Sequence, residues 1–195
     1  VTVDGKPFDA FQHLTHRLFA VMYDGERLWA GSAGGVHMSV NGGATWTTFT
    51  HQNQDNPISG NFVVALEFQR DTGKEVIWAA TIEALGTTEY RGVSVSEDYG
   101  FTWETVLSGE FPHNFAFTGA TALVPTDNGT MVSDDFGRTW ARISGITDAE
   151  TGESVYTESF YSAAAPGPGE FWLGSRDGLA HTTDRGVTWD IFRSY

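Results

Sequence analysis

Arginines and carboxylates are the side chains in this sequence with the greatest capacity for chemistry. Nine arginines, Arg17, Arg27, Arg70, Arg91, Arg138, Arg142, Arg176, Arg185 and Arg193, stand among 25 acidic residues. Guanidinium groups grip a carboxylate bidentately, and two carboxyl groups facing each other across a sugar can cleave a glycosidic bond. With 25 acids some pair is always available, so a pair informs only if its spacing does. Asp134-Asp135 is the most tempting, yet a repeated turn described below accounts for both residues. Histidine offers a second chemistry. His13 and His16 are spaced to share a face on a helix, but no carboxylate or thiol accompanies them closely enough to complete a metal set. His37 and His181 fall at equivalent or nearly equivalent places in their units and read as packing. The chain has no cysteine, which excludes disulfides and thiol chemistry and leaves the compartment open. Its 23 glycines belong to turns, and no phosphate-cradling loop stands among them. Neither a metal nor a cofactor is expected.

What would position these side chains is a pattern that occurs four times. It reads Ser39-Val-Asn41-Gly-Gly43-Ala-Thr-Trp46, Ser96-Glu-Asp98-Tyr-Gly100-Phe-Thr-Trp103, Ser133-Asp-Asp135-Phe-Gly137-Arg-Thr-Trp140 and Thr182-Thr-Asp184-Arg-Gly186-Val-Thr-Trp189. The template is S/T-x-D-x-G-x-T-W, from which only Asn41 departs. A glycine precedes each copy by four residues, at Gly35, Gly92, Gly129 and Gly178. Ten residues before the leading Ser or Thr stand Trp29, Leu123 and Trp172, and Trp78 is the match in unit two, pushed back by eight residues. Successive Asp/Asn positions are 57, 37 and 49 apart, so against a unit of 49 the second carries an insertion of eight and the third a deletion of twelve. Self-similarity at this period means stacked supersecondary units.

Each unit predicts four short strands. In the first they are Leu18–Tyr23, Leu28–Gly31, Val36–Ser39 and Thr45–Phe49, divided by the Asp24-Gly25 and Gly34-Gly35 turns. First strands follow at Phe62–Phe68, Phe115–Phe117 and Glu158–Ala163. No window sustains a helical period, and residues 9–17 are the one ambiguous segment. The pattern itself spans the turn from third to fourth strand. Its carboxylate can accept from amides that the turn leaves unpaired, its glycine relieves the backbone, and its tryptophan enters the fourth strand as an apolar wedge. Asn41 keeps the acceptor but loses the charge, so its turn is expected to form less strongly. The predicted class is all-β: a β-propeller of four-stranded antiparallel blades at about 18–50, 61–107, 114–143 and 157–192 within residues 18–195. Residues 1–17 are a lead-in or edge strand.

The pattern resembles the Asp-box, or BNR repeat, of sialidases, sortilin-type receptors, xyloglucanases, photosystem II assembly factors and secreted bacterial propellers. In character the chain is most similar to secreted bacterial propellers of this kind that are not enzymes. The resemblance covers about residues 18–191 and implies a structural turn on the propeller rim, away from the ligand face. It marks a fold more strongly than an activity. On that reading the boxes are structural at Ser39, Asn41, Gly43, Trp46, Ser96, Asp98, Gly100, Trp103, Ser133, Asp135, Gly137, Trp140, Thr182, Asp184, Gly186 and Trp189. Sialidase chemistry would require an arginine triad, a Tyr/Glu pair and an acid. Arg138 and Arg185 lie inside boxes, Arg27 falls on the same side, and the Phe-Arg-Ile-Pro signature is absent. No catalytic residue is assigned.

At 195 residues and 40% apolar, the chain can bury a substantial core as one domain. Four blades are fewer than families with this box generally use: the four close on themselves, two chains combine, or the chain is part of a larger ring. The absence of an initiating Met favours a processed or trimmed chain. A net charge of −14 argues against nucleic acid and an anionic membrane surface, and no apolar run spans a bilayer. The expected function is a non-catalytic extracellular or cell-surface scaffold for a protein or glycan ligand, self-associating or joined to further blades. The alternative is a glycoside hydrolase of sialidase or xyloglucanase type with part of its active site outside this chain. A photosystem assembly factor would carry a basic patch, which the charge disfavours. Ligand contacts are expected opposite the boxes, in the long loops His51–Gly60, Glu83–Arg91 and Ser144–Tyr156. Foremost are Glu83, Thr87, Glu89, Tyr90 and Arg91 of the inserted loop.

Overall fold

The computed structural model describes residues 2–3, 6–7, 13–71, 73–84 and 88–193, the first two pairs by backbone alone. Thr87 therefore lies outside the described residues. Short strands β1 (Thr2–Val3) and β2 (Lys6–Pro7) pair with each other, and Leu14–His16 forms a single 3-10 turn. Four antiparallel sheets follow, each a meander of four consecutive strands. Sheet one is β3 (Leu18–Tyr23), β4 (Leu28–Ser32), β5 (Gly35–Ser39) and β6 (Thr47–Phe49). Sheet two is β7 (Phe62–Asp71), β8 (Lys74–Ile82), β9 (Gly92–Ser96) and β10 (Glu104–Ser108). Sheet three is β11 (Ala116–Thr118), β12 (Thr121–Thr126), β13 (Gly129–Ser133) and β14 (Ala141–Ile143). Sheet four is β15 (Phe160–Gly167), β16 (Glu170–Ser175), β17 (Leu179–Thr182) and β18 (Asp190–Phe192). The architecture is an all-β propeller fold with four blades.

Turn chemistry sets the strand ends. Every fourth strand begins just after its tryptophan, and the box's hydrogen bonds hold the chain as far as the threonine before it. β7 runs three residues longer than expected, since Arg70 and Asp71 still pair with Glu75 and Lys74. The first strands of sheets one, two and four each carry a register shift, at Phe19, Val64 and Tyr161. That shared irregularity puts Leu18, Val63 and Phe160 at the same place in their sheets.

Large apolar residues fill the seams between sheets, which we describe by a leading side, toward the preceding sheet, and a trailing side. Trp29, Val36, Met38 and Phe49 on the trailing side of sheet one pack with Val63, Leu66 and Ile77. Trp78 of sheet two meets Phe115, Phe117 and Trp140, its ring centre 5.9, 5.3 and 6.2 Å from theirs. Leu123 and Ala116 of sheet three pack with Phe171, Ala163 and Ala165 of sheet four. Among the described residues no such cluster joins sheet four to sheet one.

The boxes take part in these seams. A Cβ on Gly100 would meet the Phe49 ring at 2.7 Å, one on Gly137 would meet Trp78 at 2.9 Å, and one on Gly186 would meet Ile143 at 3.2 Å. Between Asp and Gly in three boxes sits a bulky residue in the left-handed region, at φ 58° for Tyr99, 60° for Phe136 and 63° for Arg185. Such residues rarely adopt that conformation. Each reaches back to the sheet before: Arg27 lies 3.8 Å from the Tyr99 ring centre, Lys74 4.5 Å from that of Phe136, and Arg185 is 3.7 Å from Asp134. The first box has Gly42 there.

One box expectation needs correction. Trp46 is no buried wedge: it stays 45% exposed, whereas Trp103 and Trp189 are buried. Among the described residues no preceding sheet packs against it. Trp46, Trp103 and Trp189 donate their indole N–H to their own box glycine's carbonyl, but Trp140 reaches across the seam to the Val106 carbonyl at 2.8 Å. The Asn41 turn has the same frame as the others. Asn41 Oδ1 accepts from the Thr45 amide at 2.9 Å, and its Nδ2 donates to the Thr45 hydroxyl at 2.8 Å, the reverse of the direction used by the carboxylates.

Candidate ligand-binding face

Strand order divides the propeller's two ends. The boxes and the β3–β4 turn lie at one end, and the β6–β7, β8–β9, β10–β11, β12–β13, β14–β15 and β16–β17 connections at the other.

At the box end the box carboxylates accept hydrogen bonds on both oxygens from their own turns. In the third box the Ser133 hydroxyl donates to Asp135 Oδ1 at 2.8 Å, the Thr139 amide donates to the same oxygen at 2.8 Å, and the Thr139 hydroxyl donates to Oδ2 at 2.7 Å. Thr139's hydroxyl, then its amide, holds the Asp135 carboxyl down at about 2. Asp184 is depressed the same way by Thr188. At Asp98 burial pushes the value up, and the hydrogen bonds from Thr102 and Ser96 outweigh it. These groups tie a turn together, and Asp134 donates no chemistry either: it accepts from the Thr121 hydroxyl at 2.6 Å.

The loop end is held by buried anchors. Glu89, expected at a contact surface, is instead buried. Its Oε1 accepts from Gln52 and Asn61 side-chain amides at 2.9 and 2.8 Å, and Oε2 accepts from the Asn61 and Ala84 backbone at 3.1 and 2.8 Å. A buried carboxylate needs such partners, so this one fastens the inserted loop to the β6–β7 loop. Glu83 and Arg91 are exposed and 3.6 Å apart, while exposed Tyr90 donates its hydroxyl to Thr105 at 3.1 Å. In the β14–β15 loop, Asp148 accepts from the Thr151 and Ile191 amides at 2.7 and 2.8 Å, which lowers it to about 2.

Between these anchors runs a line of rings that the sequence reading did not single out. Arg91 lies 5.9 Å from the Phe111 ring centre, Phe111 5.3 Å from His113, His113 5.0 Å from Tyr161, and Arg176 5.8 Å from Tyr161. The line crosses sheets two, three and four at the loop end. His113 is fixed twice: its Nε2 lies 2.8 Å from Asp127 Oδ1, and its amide donates to the Pro125 carbonyl at 3.0 Å. Near it, Glu83 pairs with Arg91 and Glu110 with Arg142, while Asp127 lies against the His113 ring. Only Arg91 of this line stood among the expected residues. Phe111 and His113 lie in a connection with no repeat signature, and Tyr161 reaches the strip through a register shift.

The two strand histidines turn out not to be equivalent. His37 pairs across Ala30 and His181 across Trp172, which places them on opposite sides of their sheets. His37 is buried between the Ser32 and Thr48 hydroxyls at 2.8 and 2.9 Å, and burial lowers its basicity. His181 stacks on Trp172 with ring centres 4.0 Å apart. Among the described residues no cluster of three His, Asp or Glu side chains forms a metal site, and no helix is long and apolar enough to cross a membrane.

No protein-family model matches this chain, and no curated protein matches it. Solved structures do. An ancestral GH74 enzyme superposes with a TM-score of 0.69 at 17% identity, covering 91% of this chain and 24% of the other. The extracellular domain of a putative hybrid two-component system from B. thetaiotaomicron superposes at 0.67 and 14% identity, covering 92% and 22%. The GH74 enzyme of Niastella koreensis does so at 0.60 and 15%, covering 90% and 29%. The chain spans about a quarter of the length of these structures. At such identities the likeness concerns the fold.

Proposed function

We propose that this chain is a non-catalytic, extracellular or cell-surface propeller module that binds a glycan across the loop end of sheets two to four. The observation that carries this reading is the Phe111–His113–Tyr161 strip with Arg91 and Arg176 at its ends. Half-buried aromatic faces present a rigid apolar surface with a polar edge at small entropic cost, and sugar rings offer matching C–H faces. The terminal guanidiniums suit a carboxylate- or sulfate-bearing sugar. On a chain of net charge −14, two arginines at one strip make a local exception. A setting outside the cell is supported by the extracellular neighbour. The Asp-box resemblance supports a ligand face away from the boxes.

Titration with uronate-bearing and neutral oligosaccharides tests this. Binding is expected for the acidic set and lost in Tyr161→Ala and Phe111→Ala, with the far-UV spectrum unchanged. Undiminished binding in both variants would remove the strip from the site. Hydrolysis of xyloglucan or an aryl glycoside by the purified chain would favour the alternative, a hydrolase whose remaining catalytic groups lie outside this chain.

A further inference from the structure

Three filled seams show what this sheet needs on each side, and both ends of the fan present the same positions to solvent. On the leading side, Val63 of sheet two is fully buried, its Cγ1 lying 2.7 Å from where a Cβ on Gly31 would stand. Leu66 beside it is 5% exposed and Phe68 is partly buried. The matching residues of sheet one by strand register are Leu18, Val21 and Tyr23, which are 61, 79 and 63% exposed. On the trailing side, Trp29, Val36 and Phe49 of sheet one are buried. Their counterparts in sheet four are Trp172, half-buried, and Leu179 and Phe192, 47 and 49% exposed.

The two ends also lack each other's specific partners. A Cβ on Gly43 would meet nothing beyond its own Trp46, so the first box glycine rests on no preceding sheet. Phe192 holds the place that Phe49 holds beneath Gly100. Gly174 of sheet four holds the place that Gly31 holds against Val63, and Leu18 holds the place of Val63. Gly43 for Phe192 and Leu18 for Gly174 are the pairings that the internal seams already use. Large apolar side chains exposed together on one face mark an interaction site.

We propose that these faces take a second copy of this chain, the trailing side of sheet four on the leading side of the partner's sheet one, twice over, closing one ring of eight sheets. The contact is head-to-tail, and it stops at two copies because the rotation closes. Eight blades fall within the usual range for propellers. The inference is independent of the glycan reading, since neither face includes the ring strip.

Light scattering across a dilution series tests it on this chain. The expected mass is twice 21.3 kDa. Val21→Asp and Phe192→Asp, at side chains 79 and 49% exposed within one copy, are expected to halve that mass while keeping the far-UV spectrum. Mixing the two variants should restore the doubled mass through one intact seam. A wild-type monomer at every concentration would overturn the proposal and assign the faces to other blades. So would a doubled mass kept by either variant alone, or by a mixture no heavier than its parts.

Discussion

The seam between sheets one and two and the trailing side of sheet four are built from corresponding positions, yet one is dry and the other meets solvent. Trp29 and Trp172 both find an acceptor for the indole N–H, Asp24 at 2.9 Å and Glu170 at 3.2 Å. The difference lies in the neighbour. Trp29 has Val63 and Leu66 over it, whereas among the described residues the rings against Trp172 are those of its own sheet, His181 and Phe192. A repeat therefore specifies a surface twice, once as local hydrogen bonding that every copy satisfies alone, and once as packing that needs the next copy.

The largest test of that contrast is a pair of alanine variants in dilute monomer. Trp78→Ala should cost about 3–5 kcal/mol, as for a buried aromatic, and Trp172→Ala about 1 kcal/mol or less, as for a half-exposed one. Urea unfolding of both checks this, and equal losses would break the contrast. A glycine pair isolates the neighbour from the backbone. Gly100 and Gly43 share a positive φ, 86° and 89°, but only Gly100 has a foreign ring against it. Gly100→Ala should cost about 2–5 kcal/mol, strain plus overpacking, and Gly43→Ala about 1–2 kcal/mol, strain alone. Melting curves of the two would separate these contributions.

Acid sharpens the local half of the comparison. Asp135 is depressed from 3.8 to about 2, so its contribution is present above the unfolded value and is lost as pH falls between about 3.8 and about 2. The stability gap between wild type and Asp135→Asn should therefore shrink across that window and fade out only below it. Urea midpoints at several pH values measure it, and a gap that widened on acidification would refute the assignment. The smallest effect is expected of Asn41→Asp, about 0.5 kcal/mol or less, because the first turn already carries the full frame of hydrogen bonds.

The fold was legible because the boxes are local. Ser96, Asp98, Gly100 and Thr102 close their hydrogen bonds within a few residues, so spacing alone reveals the turn. The seams were less legible, since burial of Trp103 and exposure of Trp46 depend on which sheet lies before each. The candidate site was least so. Glu89 stood out by charge on an inserted loop, but nothing in sequence tells a contact carboxylate from a buried anchor, and its partners Gln52 and Asn61 are 37 and 28 residues away. Phe111, His113 and Tyr161 meet only after sheets two, three and four are in place.

The left-handed residues Tyr99, Phe136 and Arg185 give the array a direction. Each turn spends its strained position on reaching the unit upstream, so the turns of later units depend on earlier ones. A cut between units leaves the upstream piece with its turns intact and deprives the downstream piece of what its bulky residue grips. Circular permutants opened at different connections should therefore differ in cooperativity of unfolding. Amide exchange should be slowest in the middle sheets and should quicken unequally toward the two termini.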